Sequence, residues 1–296
     1  MAKLGRRLFP HCSGYLLSAL VLLVAVLVGG APTTLPPTTT DSATAPPGTR
    51  AMWVWTAADP AAVVTWATTH RVTTVFAYVD PQVATNGDLP RLQELKRRCD
   101  EAGIVLDALG GEPDWALDHA RALAWQLAVR DTGLFHALHL DVEPYALPEW
   151  NTARDATVRG FLTLLDEFIR PADQAVEVDV AFWYATVPVG DSNLADEVLR
   201  RADALTIMSY RDTATGPNSI LDVGADLLGR AGRAAKPARL AVETQPLADC
   251  GYCTFAPLGA QRMERVLADV DRDAQRYNAF AGIAVHGYGS WTALQP

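Results

Sequence analysis

The chain has 296 residues, of which 49% are hydrophobic and 20% charged, with a net charge of −9. That length and composition suffice for one large folded domain and exclude a wholly disordered chain. The acidic balance argues against nucleic acid and against anionic membrane surfaces as partners.

The first 31 residues carry three basic side chains, Lys3, Arg6 and Arg7, and no acidic one. An apolar run over 15–28 leads into Gly29, Gly30 and Ala31. This is a secretory signal layout, and the run is short for a membrane span of roughly 20 residues. A cleaved signal peptide is expected over 1–31, with an uncleaved N-terminal membrane anchor as the alternative. Residues 32–50 are rich in Thr and Pro, cannot bury a core and read as a disordered tether. Together they direct the remaining domain, 51–296, to the cell exterior or surface. A monomer is expected.

Four cysteines occur: Cys12, Cys99, Cys250 and Cys253. Cys12 lies in the leader. Cys250 and Cys253 form a C-x-x-C pair with no second pair to complete a zinc site. In an oxidising compartment they read as a local disulfide, and Cys99 as a buried free thiol on a helix.

From residue 51 onward, strand-like and helix-like segments alternate. Strands are expected at 51–55, 73–79, 104–109, 135–142, 176–183, 204–209, 240–243 and 282–286. Between them lie helical patterns at about 60–69, 89–102, 114–130, 148–170, 192–201, 218–235 and 258–277. Asp59 and Pro60 form a capped start for the first helix, and Gly103 a stop for the second. Eight such units fit a single (β/α)8 barrel of the α/β class, with its last helix short or missing. A doubly wound sheet is the rival, but no glycine-rich phosphate turn is present.

The run 135–145, Phe-His-Ala-Leu-His-Leu-Asp-Val-Glu-Pro-Tyr, alternates like a strand. His139, Asp141 and Glu143 share one face, and Leu138, Leu140 and Val142 the other. Three ionisable groups on one face of a strand call for a cleft, since burial without partners is costly. Two like-charged carboxyls so close should leave one of them protonated near neutral pH, as a general acid requires.

In a barrel, reactive groups gather at the C-terminal ends of the strands. Those ends offer Trp53 and Trp55, Tyr78 and Asp80, then Gly110 and Gly111. Next come His139, Asp141, Glu143 and Tyr145, then Trp183, then Met208 and Tyr210. Glu243, His286 and Tyr288 complete the ring. Carboxylates ringed by Trp and Tyr suit a carbohydrate substrate, whose C–H faces stack on aromatic rings. No metal or cofactor is implied. Asp107, on the opposite parity from Ala108, is expected to face the helices. Arg211 has two candidate partners, Asp212 and Asp141.

Three short pieces carry a family resemblance. Ala108-Leu109-Gly110-Gly111 is similar to S-x-G-G. The stretch His136 to Glu143 is similar to D-x-x-D-x-D-x-E, with His136 and His139 at the first two Asp positions. Met208-Ser209-Tyr210-Arg211 is similar to M-x-Y-D, with Arg at the Asp position. The chain resembles the chitinase-like barrels of glycoside hydrolase family 18, from an uncharacterised bacterial branch. The resemblance implies that Glu143 is the general acid, Asp141 its switching partner and Tyr210 a group positioning the substrate's N-acetyl arm. That arm's oxygen would attack the anomeric carbon. His286 stands where the family has a Trp under the sugar.

Three other readings remain open. Glu143 and Glu243 match the acid/base and nucleophile of retaining barrel glycosidases, which sit about 5 Å apart. His139, Asp141, Glu143 and His286 form a candidate metal set, although the first strand lacks an H-x-H. A barrel that keeps the aromatics without catalysis would bind glycans and cleave none.

Overall fold

The computed structural model describes residues 44–296. The expected leader, and the tether as far as residue 43, lie outside the described residues. Eight parallel strands close into a barrel: β1 (Arg50–Val54), β2 (Val72–Tyr78), β3 (Val105–Gly110), β4 (Leu138–Leu140), β5 (Val176–Ala181), β6 (Ala204–Met208), β7 (Ala238–Glu243) and β8 (Phe280–His286). Strands follow one another around the barrel in chain order, and β8 pairs with β1. The connecting helices are α1 (Pro60–Thr69), α2 (Leu89–Glu101), α3 (His119–Thr132), α4 (Arg154–Ile169), α5 (Leu194–Arg201), α6 (Ile220–Arg233) and α7 (Ala260–Ala274). After β8 there is only α8 (Tyr288–Thr292). The chain is therefore the (β/α)8 barrel that its alternation predicts, with a last helix of 5 residues. Among the described residues, no helix is long and apolar enough to cross a membrane.

The local signals work as their chemistry dictates. Asp59 caps α1 by accepting from Ala62 N at 3.0 Å, with Pro60 at the first helical position. Gly103 takes the left-handed conformation (φ 67°) just past α2. Cys250 and Cys253 form a disulfide in the loop after β7. Cys99 is a free thiol inside α2's packed face, where burial pushes its pKa up to about 12.

Several boundaries differ from the sequence pattern. Regular pairing in β4 covers three residues where eight are predicted. The contact with β3 nevertheless continues past both ends: His136 N donates to Leu106 O at 2.9 Å, and Asp141 N to Gly110 O at 3.0 Å. The helix predicted from 114 starts at His119, because Pro113 opens a separate short turn, Pro113–Ala116. The helix predicted over 148–170 breaks at Ala153 (φ −146°), leaving a turn at Glu149–Thr152 ahead of α4. The end of the tether packs on the barrel: Ala45 N donates to Phe280 O at 2.9 Å. Arg50, already in β1, grips Asp271 of α7 with two hydrogen bonds of 3.0 and 2.8 Å, both side chains being buried.

Alternate strand residues face the helices or the barrel axis. Met52, Val75, Leu106, Leu138, Val178 and Leu240 join the main core under the helices. Ala51, Trp53, Phe76, Leu109, Ala241 and Ala284 form a separate cluster along the axis. Branched aliphatic side chains usually fill the rest of such an interior. Here five further axial residues are ionisable: Asp107, His139, Glu177, Asp179 and Arg239. His139 stacks on the Phe76 ring at 3.7 Å, and the Arg239 guanidinium lies 5.6 Å from the same ring. Asp107 thus faces the axis and not the helices. It is paired in register with Phe76, which is itself paired with Trp53.

Uncompensated charge in such a place is costly. Burial, then the charge of Glu177, raises the pKa of Asp107. Burial lowers that of His139. Burial also works against the Glu177 carboxylate, but Arg239, His139 and a hydrogen bond from Thr206 outweigh it, and its pKa is lowered. At the bottom of the barrel, Arg239 and Glu177 are joined in an ion pair.

Candidate active site

The C-terminal end of β4 delivers Asp141 and Glu143 to the mouth of the barrel. Two glycines at the end of β3 make this possible. A Cβ on Gly111 would overlap the Asp141 backbone, and one on Gly110 would overlap the Trp125 ring of α3. Gly111→Ala is therefore expected to cost about 1–3 kcal/mol by overpacking and to displace Asp141. Chemical denaturation measures the first effect; a wild-type midpoint would show that the strand ends have room to move.

Asp141 is half-buried, with its Oδ1 enclosed and lacking a hydrogen-bond partner. Burial, then the charges of Asp179 and Glu143, raises its pKa well above the ordinary carboxylate range. This environment favours the protonated form of Asp141. Glu143 stands just beyond β4, and its Oε1 accepts from the Tyr145 hydroxyl. Tyr145 also reaches Met208 Sδ at 3.8 Å and meets the Trp183 ring edge-on at 5.3 Å. Tyr210, just past β6, completes the group. Burial raises its pKa, and the charges of Asp141, Asp179, Glu243 and Glu143 add to the effect.

A second constellation spans β7, β8 and β1. Glu243 Oε1 accepts from Thr244 N and Gln245 N, both at 2.7 Å. Its Oε2 lies 2.8 Å from His286 Nδ1, and His286 Nε2 lies 2.7 Å from Trp55 Nε1. An indole N–H can only donate, so Nε2 accepts, and the proton of the neutral ring is on Nδ1, facing Glu243. The half-buried Trp55 is thereby locked beside Tyr78, its ring centroid 6.0 Å away. Burial works against charge on His286, yet the Glu243 hydrogen bond and the charges of Glu243, Asp141 and Asp179 outweigh it and raise its pKa. Protonation at Nε2 removes the acceptor for Trp55. As the pH falls through the raised pKa, Trp55 should come loose, giving a fluorescence change that Trp55→Phe abolishes. A titration that is unchanged in that variant would show the lock does not respond to protonation.

No protein-family model matches the chain, and no curated protein matches it. Solved structures match in fold. A GH18 chitinase from Pseudoalteromonas aurantia gives a TM-score of 0.50 at 12% identity, covering 81% of this chain and 94% of that one. A mutant GH18 chitinase from Cycas revoluta in complex with (GlcNAc)4 gives 0.46 at 14% identity, covering 66% and 68%. A putative deoxyribose-phosphate aldolase from Toxoplasma gondii gives 0.46 at 11% identity, covering 83% and 92%. The molecule is a TIM barrel. Its likeness to GH18 chitinases is distant and is a likeness of fold, which aldolases share.

Within this TIM barrel, the sequence-predicted residues divide into four groups. Asp141, Glu143, Tyr145, Met208 and Tyr210 come together, with Glu243, His286 and Trp55 as a linked second group. Trp53 and His139 lie beneath, 1% and 0% exposed, as floor packing and not as faces open to a ligand. The fourth group lies around these. Asp80 accepts from Gln82 N at 2.7 Å and lines a side pocket of about 420 Å³ with Tyr78, Glu112 and Trp115. Burial, then the charge of Asp59, raises the pKa of Tyr288. Trp183 packs half-buried between Tyr145 and Trp150. Arg211 bonds neither Asp212 nor Asp141; it donates to Asn218 Oδ1 and Tyr210 O, each at 2.7 Å. Among the described residues, no three His, Cys, Asp or Glu side chains are arranged to hold a metal ion. The sequence reading misses Asp179, Glu177, Arg239 and Tyr184, which surround the site from below.

Proposed function

We propose that this protein is an exported glycoside hydrolase acting on an N-acetylated glycan. Glu143 is the general acid and Asp141 its partner, while Tyr210 positions the acetamido group whose oxygen attacks the anomeric carbon. The observation that carries this reading is the convergence of Asp141, Glu143 and Tyr210 at the C-terminal mouth of the barrel, with Asp141 Oδ1 unpartnered. Half-buried Trp55, Tyr78 and Tyr145 offer aromatic faces beside them. The Cys250–Cys253 disulfide supports export, since such bonds persist in oxidising compartments. A cleaved leader is favoured over an anchor because of the short apolar run.

Glu243 supports the substrate-assisted route over a retaining one. Both of its oxygens are committed, one to two backbone amides and the other to His286. It acts as the post that orients His286 and Trp55. The test is a panel of oligosaccharides, acetylated and not, offered to wild type, Glu143→Gln and Glu243→Gln. Wild-type cleavage that disappears in Glu143→Gln supports the assignment. Cleavage that survives Glu143→Gln but not Glu243→Gln overturns it. Binding without cleavage by any of the three makes the barrel a glycan-binding module.

A further inference from the structure

Arg211 follows Tyr210 at the mouth of the barrel, where the M-x-Y-D pattern has an acid. Its half-buried guanidinium is held from several directions. Nε donates to Asn218 Oδ1 and Nη1 to Tyr210 O, each at 2.7 Å, and Nη1 also reaches Cys253 Sγ at 3.7 Å. The guanidinium carbon lies 4.9 Å from the centre of the Phe182 ring, just past β5, and 5.5 Å from that of Tyr252. Tyr252 belongs to the turn Gly251–Cys253, which the Cys250–Cys253 disulfide ties down. Segments that follow β5, β6 and β7 thus meet on this one side chain.

These contacts fix the guanidinium without neutralising it. Among the described residues no carboxylate pairs with Arg211, although Asp212 is its neighbour in the chain. Aromatic faces attract a cation but bring no counter-charge. Nη2 makes no hydrogen bond within the protein, so both of its N–H groups are free donors. Asn218 turns Oδ1 to Arg211, which leaves the N–H groups of its Nδ2 as further donors. Other cations near the strand ends are engaged: Arg121 is tied to Asp114, and Arg154 lies over the Trp150 ring and donates to its carbonyl. In a chain of net charge −9, partners for an arginine are plentiful. One that is rigidly placed at a binding mouth and left without a carboxylate marks a place for an anion from outside.

We propose that Arg211 and Asn218 form a subsite for an oxyanion, a carboxylate or a phosphate, on the sugar next to the one held by Tyr210, so that the glycan is acidic as well as N-acetylated. This rests on the glycosidase reading. A guanidinium beside a carboxamide presents several N–H donors to such a group, and hydrogen bonds of this charged kind are the strong ones. Tyr252 is 54% exposed, so the sugar that carries the anion can rest against its open side. The rest of the mouth is acidic, with Glu143 and Glu243 at the strand ends and Asp80 and Glu112 in the side pocket. An anion elsewhere on the glycan is repelled there. Arg211 is therefore the group that turns repulsion into preference.

The test is calorimetric binding of three oligosaccharides of equal length, neutral, carboxylated and phosphorylated, to Glu143→Gln, so that none is cleaved. At least one acidic ligand should bind about tenfold or more tightly than the neutral one, the scale of a hydrogen bond to a charged group; the tighter of the two identifies the substituent. Arg211→Gln on the same background should invert the order. Weaker or equal binding of both acidic ligands before that change overturns the subsite, and so does a preference that survives Arg211→Gln. If Arg211→Gln does not fold, Asn218→Asp decides. Asp tolerates the left-handed backbone of this position (φ 58°), and its carboxylate accepts from Nε as Asn218 does, while the aromatic contacts of Arg211 remain. With the guanidinium neutralised in place, the preference should fall towards one; an unchanged preference overturns the subsite. Preferential binding of an acidic glycan that the wild type never cleaves removes only the catalytic reading. Wild-type cleavage of glycans bound without preference removes only the subsite, and binding of none removes both.

Discussion

Glu143→Gln should lower turnover of a cleaved glycan by about 10²- to 10⁴-fold, the usual contribution of a general acid, or about 3–5 kcal/mol of barrel-mouth chemistry. Stability should hardly change. Gln keeps the shape of the side chain, and its Oε1 still accepts from the Tyr145 hydroxyl that Glu143 engages in the wild type. Affinity for uncleaved oligosaccharide should also persist, since the aromatic side chains around it are untouched. The effect therefore belongs in kcat. Glu243→Gln offers the contrast. It weakens the grip on His286 Nδ1 and, through it, on Trp55, so its cost should show mainly in KM. Steady-state kinetics on one substrate with both variants separates the two. A Glu143→Gln enzyme that loses affinity and keeps kcat would assign Glu143 to binding and leave the acid unidentified.

Much of this site is legible in the chain because the parity of a strand is local. The alternation of His139, Asp141 and Glu143 with Leu138, Leu140 and Val142 is visible in one short run, and the barrel honours it. The two glycines after Leu109 announce a close approach, and the overlap of a Gly111 Cβ with Asp141 is its physical content. What stays hidden depends on partners distant in sequence. The stretch Val176-Glu-Val-Asp-Val-Ala alternates as clearly as β4, and both its acids face the axis. A strand alone, however, does not say which of its faces is inside. Asp107 is misplaced for that reason: only the pairing Phe76↔Asp107 puts it on the axial side. The bond between Trp55 and His286 requires barrel closure between the first and last strands, 231 residues apart. The orphaned Tyr184 hydroxyl lies in a turn after β5, where no periodicity points to it.

Glu177→Gln should destabilise the barrel by about 3 kcal/mol at mildly acid pH, the lower end for breaking a buried ion pair, and by clearly less near neutrality. The loss arises because Arg239 is left charged beneath Phe76 and His139 with its carboxylate partner gone. The pH dependence arises from Asp107. In the wild type its pKa is raised by burial and by the charge of Glu177. A raised carboxyl contributes stability below its unfolded pKa and loses it as the pH rises through the folded one. In the variant the Glu177 charge is absent while burial and the Arg239 charge remain, so the Asp107 pKa is raised less than in the wild type. The carboxyl then loses less stability than the wild-type one as the pH rises. Ionised Asp107 is thus better tolerated beside Arg239 in the variant, which offsets part of the lost ion pair near neutrality and not in mild acid. The wild-type Glu177, with its lowered pKa, stays ionised across that window. Thermal unfolding at about pH 4.5 and about pH 7.5 measures the difference; roughly 2–4 °C per kcal/mol is expected for a domain of this size. On an Asp107→Asn background, Glu177→Gln should cost the same at both pH values. If the single variant loses equally at both pH values, Asp107 does not exchange its proton for Arg239, and the interior charge balance drawn from the structure is wrong.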